Sequence, residues 1–339
     1  MGIGDVLVTG KRVLYQPAHR IARHKAAERP SLDTDIKAFL DFSAATGRPP
    51  SYALPYEEAR QAVRDASPQL CLPGPEMASV DDLFVAGAGG DIAIRLYTPL
   101  DLVRPAPLLI FFHGGGFVYC DLDTHDALCR SLAQSGRCNV ASVDYRLAPE
   151  YGFPAAPDDA ITATKWLVAN AHRLEIASHK IAVGGDSAGG NLAAGVSQVV
   201  PGLAGQLLIY PWLDMRMRHR SHYVNGSGYM LTRAALLWFR SHYLTDLSQR
   251  NNPRASPILT NLLAGLPRAF ILAAGYDPLR DEATDYARRL SEAGVPVCYS
   301  EYAGQIHGFA MMNRITSGAD LAVQEIGEWL VDLWETQAD

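Results

Sequence analysis

The sequence predicts an α/β fold in which a mostly parallel sheet is covered by helices on both faces. From about residue 80 onward, short apolar segments alternate with segments of helical periodicity. One of them, Ile181-Ala182-Val183, runs through glycines into an Ala/Leu-rich stretch, as a buried parallel strand turning into a helix does. The 339 residues, 48% apolar and 19% charged, are enough to bury a core of this size.

The first 80 residues precede the sheet and have helical character. Leu32, Ile36, Phe39 and Leu40 recur at helical spacing and predict a helix over 31–45, and a second helix is expected over 56–66. Prolines at 49–50 and 73–75 break the chain around it. Residues 1–30 are mildly basic, and we interpret them as a solvated or partner-packed arm.

Eight strands are expected in the remainder of the chain. They are residues 82–85, 92–97, 107–112, 140–143, the segment from 181, 206–210, 269–273 and 295–299. The first two alternate like an antiparallel pair, and helices between the others make most of the sheet parallel. The polar, Arg- and His-rich stretch 213–256 interrupts this alternation and is interpreted as an insertion with one helix over 229–243.

Ser187 lies at the predicted bend between strand and helix, flanked by Gly185 and Gly189 in a Gly-x-Ser-x-Gly pattern. Small neighbours let strand and helix approach closely, so that the serine points out of the sheet. The free N–H groups of the helix N-terminus lie beside its hydroxyl. The pattern alone also fits a glycine-rich turn with a serine cap, but the strand–turn–helix context favours a nucleophile.

A serine nucleophile needs a base and an orienting acid on loops at the carboxyl ends of the strands. Asp277 and His307 follow the last two predicted strands, and the order Ser187…Asp277…His307 is the one expected of α/β-hydrolases. Asp281 and Glu282 compete for the role of acid. They lie about one helical turn further on and are expected to face away, with Glu282 capping or bracing its helix.

Other histidines have less favourable contexts for a catalytic base. We expect surface positions for those in polar surroundings, namely His172, His179, His219, His222 and His242. His113 stands at a strand end, where it is expected to hydrogen-bond the loop backbone and hold it in shape.

A run of glycines is suited to stabilising the oxyanion of a tetrahedral intermediate. Gly114, Gly115 and Gly116 lack β-carbons, so their amides can turn inward, and Ala188 follows the nucleophile. We therefore predict these four amides as oxyanion-hole donors.

Composition excludes several classes of function. A net charge of −6 argues against a nucleic-acid partner, and no apolar run approaches the length of a membrane span. The N-terminus has no signal-peptide core, and five cysteines without a Cys-x-x-Cys pair fit free thiols in a reducing, cytoplasmic compartment. Three of them recur every nine residues, which is not a metal-ligand spacing, so no metal site is expected.

Several motifs together resemble the hormone-sensitive-lipase family of carboxylesterases, in its Gly-Asp-Ser-Ala-Gly branch. They are His113-Gly-Gly-Gly-Phe117, Asp144-Tyr-Arg-Leu-Ala-Pro-Glu150, Phe153-Pro-Ala-Ala156, Gly185-Asp-Ser-Ala-Gly-Gly190, Asp277-Pro-Leu279 and His307-Gly-Phe309. The resemblance covers roughly residues 80–335.

The resemblance implies an α/β-hydrolase core over residues 81–339, with an eight-stranded sheet. It also implies a helical cap, formed by residues 1–80 and the insertion at 213–256. It implies hydrolysis of small, short-chain acyl esters through an acyl-enzyme intermediate, without a cofactor. Within the glycine run it favours Gly115 and Gly116 as oxyanion donors, and it assigns Asp144 and Arg146 to bracing the oxyanion loop.

Departures from the family pattern and from simple hydrolysis leave alternatives open. Cys120 stands where the family usually has glycine and Trp212 replaces a smaller residue, so both can narrow the acyl pocket. Together with cap aromatics they predict a preference for acyl chains of about four to six carbons. An amidase on the same scaffold and a catalytically silent binding protein are alternatives.

Because 295–299 is the last predicted strand, an exposed sheet edge and a homodimer are expected.

Overall fold

The computed structural model describes residues 11–15 and 30–336, and a nine-stranded sheet forms its centre. The strands are β1 (Lys11–Tyr15), β2 (Met77–Gly87), β3 (Gly90–Pro99), β4 (Ala106–Phe112), β5 (Asn139–Asp144), β6 (Ile176–Asp186), β7 (Gly205–Ile209), β8 (Arg268–Tyr276) and β9 (Val297–Ile306). The helices are α1 (Thr34–Ala45), α2 (Tyr56–Leu70), α3 (Asp126–Gly136), α4 (Ala155–Ala169), α5 (Ala188–Ser197), α6 (Ser221–Val224), α7 (Arg233–Tyr243), α8 (Arg280–Glu292) and α9 (Ser317–Thr336).

The strand order is β1-β9-β8-β7-β6-β4-β5-β3-β2. Strands β4 to β9 are parallel, and the β2–β3 pair is antiparallel at one edge. The predicted mostly parallel eight-stranded α/β sheet is therefore confirmed, and β1 adds a ninth, antiparallel strand beside β9. The expectation that 295–299 forms the last strand is wrong, since residues 11–15 of the predicted arm pair with it. Residues 1–10 and 16–29 of that arm lie outside the described residues.

The central strands are buried because helices cover both sheet faces. Every residue of Leu108–Phe112 in β4 is fully buried. On one face the core includes residues of α4, α5 and α8, and on the other it includes residues of α3 and α9. Such two-sided burial explains why these strands are continuous apolar runs instead of alternating ones.

The carboxyl ends of four parallel strands meet at one edge of the sheet, and each is followed by a predicted site residue. β4 leads into the glycine run, β6 into Ser187, β8 into Asp277 and β9 into His307. Parallel strands necessarily bring these four loops together, as open α/β sheets do at their ligand sites.

The segments outside the alternating pattern are helical, as expected. α1 and α2 correspond to the two helices predicted before the sheet, although β2 begins at Met77, slightly before the expected boundary at 80. The stretch 213–256 contains α6 and α7, with loops and one 3₁₀ helix around them. Within the described residues, no helix has both the length and the hydropathy needed to cross a bilayer.

Candidate active site

Ser187 occupies a strained turn between β6 and α5. Its backbone angles are φ 55° and ψ −115°, a region that residues with a side chain rarely adopt. The turn is possible because β6 and α5 pack backbone against backbone: a β-carbon on Gly185 would lie 2.4 Å from the Gly189 carbonyl. The helix also approaches the neighbouring strand β4, since a β-carbon on Gly189 would overlap the carbonyl oxygen of Phe112. The Ser187 N–H donates to the Ile209 carbonyl at 2.8 Å, and its own carbonyl accepts from Trp212 N–H at 3.0 Å.

The three residues predicted as a triad lie within hydrogen-bonding distance of one another. His307 Nδ1 is 2.7 Å from Asp277 Oδ2, and His307 Nε2 is 2.9 Å from Ser187 Oγ. A carboxylate only accepts hydrogen bonds, so Nδ1 carries the proton that faces Asp277. Nε2 is then the lone-pair nitrogen and can accept the proton of the Ser187 hydroxyl.

Asp277 is held so that its second oxygen is also satisfied. Its side chain is fully buried, and Oδ1 accepts from the Leu279 N–H at 2.8 Å. The Asn225 amide donates to the Asp277 carbonyl at 2.8 Å and to the Gly275 carbonyl at 3.2 Å. Residue 225 belongs to the insertion, so the insertion directly braces the loop that carries this acid.

The competing acids have other partners. Asp281 Oδ2 accepts from Ser221 N–H at 2.9 Å, and its other oxygen accepts from Arg280 at 2.7 Å. Glu282 is fully buried; it accepts from the Leu213 N–H at 2.6 Å and lies 3.2 Å from His222 Nε2. The expectation that Glu282 braces its own helix is therefore wrong, since it binds the insertion instead.

The surface position predicted for His222 is also wrong, because this side chain is fully buried against Glu282. Polar sequence neighbours suggested solvent, whereas the partner that makes burial possible is distant in sequence. Burial raises the pKa of Glu282, and the hydrogen bond and charge of His222 oppose this effect only in part.

Three of the four predicted oxyanion donors are available. Within the described residues, the amides of Gly115, Gly116 and Ala188 donate to no protein acceptor. Gly115 and Gly116 have φ values of 105° and 63°, which explains the requirement for glycine. The prediction that Gly114 is an oxyanion donor is wrong. Its N–H donates to Asp186 Oδ1 at 2.7 Å and so is not free for a substrate oxygen.

The glycine loop is supported by His113 and by residues that the sequence did not single out. Neutral His113 Nδ1 donates to the Gly114 carbonyl at 2.7 Å, as expected. The Tyr145 hydroxyl donates to the His113 carbonyl at 2.7 Å, and Arg60 Nε of α2 donates to the Val118 carbonyl at 2.7 Å. These contacts hold the backbone on both sides of the glycines.

The support expected from Arg146 and Asp144 takes a different form. Arg146 Nε and Nη2 each lie 2.8 Å from an oxygen of Asp159 in α4, so its guanidinium binds a helix instead of the oxyanion loop. Within the described residues, the Asp144 carboxylate has no hydrogen bond to that loop. Tyr145, which lies between them, supplies the direct contact, so the bracing role assigned to the pair is wrong.

Two buried titratable groups lie behind the nucleophile. Burial, with a smaller contribution from His125, lowers the pKa of His113 to about 4, so this ring is neutral at pH 7. Burial alone would raise the pKa of Asp186, but His125, 3.1 Å away, His307 and His113 reverse this effect and hold the pKa below its usual value. A charged Asp186 explains its strong hold on the Gly114 amide.

An aromatic wall lies beside the oxyanion loop. A β-carbon on Gly116 would touch the Phe239 ring of α7, and the Phe239 and Tyr119 ring centroids are 4.9 Å apart. Trp212 is fully buried, and its ring centroid is 6.3 Å from that of Phe117. Ser187 and His307 retain 8% and 9% of their exposure, so their reacting atoms lie in a narrow opening.

A family model described as the α/β-hydrolase fold matches residues 109–311. The chain belongs to the α/β-hydrolase family. Its resemblance to the hormone-sensitive-lipase branch is confirmed by similar proteins. One is the carboxylic ester hydrolase LipN of Mycobacterium tuberculosis (strain ATCC 25618 / H37Rv), 37% identical over 95% of this chain and 90% of the relative. Another is an ethyl acetate hydrolase of Pseudomonas putida, 38% identical over 86% of this chain and 95% of the relative.

A solved structure is similar to this fold over most of the chain. An ester hydrolase from the metagenome of Lake Arreo, complexed with a derivative of bipyridine phosphonate, has a TM-score of 0.88 and 40% sequence identity. The match covers 90% of this chain and 100% of that chain. The residues 109–311 matched by the family model include the strand ends that carry the candidate site.

Proposed function

We propose that this chain is a serine carboxylesterase that hydrolyses small, short-chain acyl esters through an acyl-enzyme on Ser187. The observation that carries the proposal is the continuous hydrogen-bonded chain from Ser187 through His307 to Asp277, beside three free amides. Ester hydrolysis is also the activity named for the relatives LipN and ethyl acetate hydrolase. The chain needs no cofactor for this chemistry.

The reaction begins when Ser187 Oγ attacks the ester carbonyl carbon and His307 Nε2 takes the hydroxyl proton. Asp277 stabilises the imidazolium that forms. The carbonyl oxygen becomes an oxyanion and accepts hydrogen bonds from the amides of Gly115, Gly116 and Ala188. His307 then donates its proton to the leaving alcohol. In the second half of the reaction, His307 takes a proton from water, which attacks the acyl-enzyme carbonyl. His307 finally returns the proton to Ser187 Oγ as the carboxylic acid leaves.

Short acyl chains are preferred in this proposal, with about four to six carbons. The support comes from Phe239 and Tyr119, whose rings stand beside the oxyanion loop. Both Trp212 and Phe239 are buried, but the Phe239 ring lies directly against Gly116, so we expect Phe239 to be the stronger determinant. A series of p-nitrophenyl esters is expected to show falling kcat/KM beyond six carbons, and a rate still rising at ten or twelve carbons would contradict the preference.

The helices α1 and α2 and the insertion are proposed to form a cap over the carboxyl ends of the strands. Two contacts support this division. Arg60 of α2 binds the glycine loop at Val118, and Asn225 of the insertion binds the Asp277 loop. Both segments thus touch loops of the proposed active site from outside the sheet.

The proposal is tested with Ser187→Ala and a matched control, Ser197→Ala. Ser197 lies in the same helix α5, and its buried hydroxyl donates to the Ala193 carbonyl at 2.8 Å. Ser187→Ala is expected to lose on the order of 10⁴–10⁶ in ester turnover with an unchanged circular-dichroism spectrum. Ser197→Ala should retain activity. A Ser187→Ala enzyme with more than a few per cent of turnover would contradict the mechanism.

The choice between ester and amide bonds is tested by matched substrates that share acyl group and leaving-group size. The proposed carboxylesterase hydrolyses the ester far faster. Equal or faster amide hydrolysis would make the chain an amidase, and binding without any turnover would make it a silent binding protein.

The remaining proposals concern assembly and location. The homodimer is kept as a proposal, but β9 is no longer the expected interface, because β1 pairs with it; the terminal strands of the described sheet are β1 and β2. Light scattering is expected to give twice the chain mass of 36.8 kDa, and the single-chain mass would exclude the dimer.

Five free cysteines support a reducing, cytoplasmic compartment, which fractionation of the native host would test.

A further inference from the structure

A second group of polar side chains lies outside the proposed active site, where the insertion meets α8. His219 and His222 are three residues apart at the start of α6, and Glu282 lies in the first turn of α8. One nitrogen or oxygen from each of these three residues lies within 4.8 Å of the others. The proposed esterase chemistry uses none of them. We propose that this group binds one Zn²⁺ ion.

The donor distances are close to those that a tetrahedral zinc ion requires. Zinc bonds of about 2.0–2.1 Å at tetrahedral angles put neighbouring donor atoms roughly 3.3 Å apart. His222 Nε2 and Glu282 Oε2 already lie 3.2 Å apart. Only the third donor, on His219, has to move closer, and its 20% exposed side chain has room to rotate.

A second carboxylate of α8 lies near His219 but outside the group of three residues. Asp285 lies three residues after Glu282, and its Oδ2 is 3.8 Å from His219 Nε2. Two imidazoles and one carboxylate, with water in the fourth position, are a donor set that zinc accepts. The partly exposed Asp285 and His219 give the ion a path from solvent.

The site also has the outer hydrogen bond that holds a metal ligand in place. Glu282 Oε1 accepts from the Leu213 N–H at 2.6 Å, which orients the carboxylate and leaves Oε2 facing His222. Nδ1 of His222 is buried and has no hydrogen-bond partner within the described residues, and Nδ1 of His219 lies 3.8 Å from Asp214 Oδ2.

Zinc here would link the insertion to the helix that follows the proposed acid. Between the histidines, Ser221 N–H donates to Asp281 at 2.9 Å, and three residues beyond His222, Asn225 donates to the Asp277 carbonyl. A bound ion therefore fixes the segment that braces the Asp277 loop. We expect it to raise the stability of the folded chain.

The test uses the full chain after removal of metals with EDTA. Titration with ZnCl₂ by calorimetry should give one ion per chain, and excess zinc should raise Tm by roughly 3–6 °C. Co²⁺ in place of zinc should give the intense visible absorption of a four-coordinate ion. No zinc binding at micromolar concentration, or no Tm shift, would overturn the proposal.

Variants locate the ion. His219→Gln and His222→Gln should each weaken binding at least about tenfold and remove the Co²⁺ band, while His172→Gln, at an exposed position, should leave both unchanged. Because His222 is buried, its variant can fail to fold. Zinc binding by His219→Gln, at a half-buried position, is therefore the decisive measurement. Zinc bound as tightly by His219→Gln would place the ion elsewhere, His307 included, and would refute this site while leaving the proposed esterase mechanism untouched.

Discussion

The two halves of the proposed active site are held in place by different forces. On the nucleophile side, the Ser187 turn is positioned by backbone packed against backbone, with Gly189 directly against the Phe112 carbonyl. On the acid side, Asp277 is positioned by side-chain hydrogen bonds, including one from Asn225 of the insertion. The first half should therefore be intolerant of added atoms, and the second of lost hydrogen bonds.

The largest effect is expected on the acid side. Asp277→Asn should lower kcat by about 10⁴, because the amide favours the wrong tautomer of His307. Asp281→Asn should cost less than about tenfold, since Asp281 binds Ser221 and Arg280 instead of the imidazole. Steady-state kcat values of both variants would show which aspartate orients His307. A larger loss for Asp281→Asn would assign the catalytic acid to Asp281 in α8.

On the nucleophile side, one methyl group should be enough to disrupt the turn. Gly189→Ala forces a β-carbon into the Phe112 carbonyl, so we expect at least a 100-fold loss of kcat and roughly 1–3 kcal/mol of lost stability. Gly195→Ala is the matched control in the same helix, since a β-carbon there meets no atom within 4 Å. Urea unfolding and kinetics that failed to separate the two variants would show that steric closeness does not position Ser187.

A smaller effect is expected when the acid side loses its brace. Asn225→Ala removes donors to the Asp277 and Gly275 carbonyls and should lower kcat about tenfold, with roughly 1–3 kcal/mol of destabilisation. Asn170→Ala, which removes an amide donor to the Trp166 carbonyl at the end of α4, should leave kcat unchanged. Equal kcat values for the two variants would mean that the insertion does not support Asp277.

The smallest effect concerns pH and the loop beside the nucleophile. His113 has a folded pKa of about 4 against 6.5 when unfolded, so the unfolded state takes up the proton first as the pH falls. The free energy of unfolding therefore carries no penalty from His113 above about pH 6.5. It falls as the pH drops from 6.5 toward 4, because only the unfolded state binds the proton in that range. Between pH 7 and 5 the loss should be about 2 kcal/mol.

The comparison for this prediction is His113→Asn, which keeps an amide donor for the Gly114 carbonyl and cannot titrate. Unfolding free energies at pH 7 and 5 should fall less steeply for the variant than for the natural chain. Identical slopes would mean that His113 carries its proton in the folded state, against its burial between His125 and Tyr145.

The sequence predicted those features that depend on local pattern. Apolar runs identify the buried strands, and Ser187, Asp277 and His307 follow strand ends that parallel pairing necessarily brings together. What it missed depends on contacts between distant residues. The Gly114 amide is engaged because Asp186, far along the chain, approaches it, and His222 is buried because Glu282 does.

β1 escaped prediction for a different reason. Its pairing with β9 is a backbone interaction, and a five-residue strand of basic and apolar residues has no periodicity that separates it from an arm. The Arg146 error is similar in kind: the motif places an arginine near the loop, but only three-dimensional packing assigns it to Asp159.

The central claim is that Ser187 forms a covalent acyl-enzyme, and trapping tests it most directly. The chain is incubated with a p-nitrophenyl alkylphosphonate ester, release of p-nitrophenol is measured, and peptide mass spectrometry locates the adduct. The account predicts one equivalent of p-nitrophenol, loss of activity, and the phosphonyl group on Ser187, with no adduct on Ser187→Ala. Inactivation with the adduct on another residue, or equal labelling of Ser187→Ala, would contradict it.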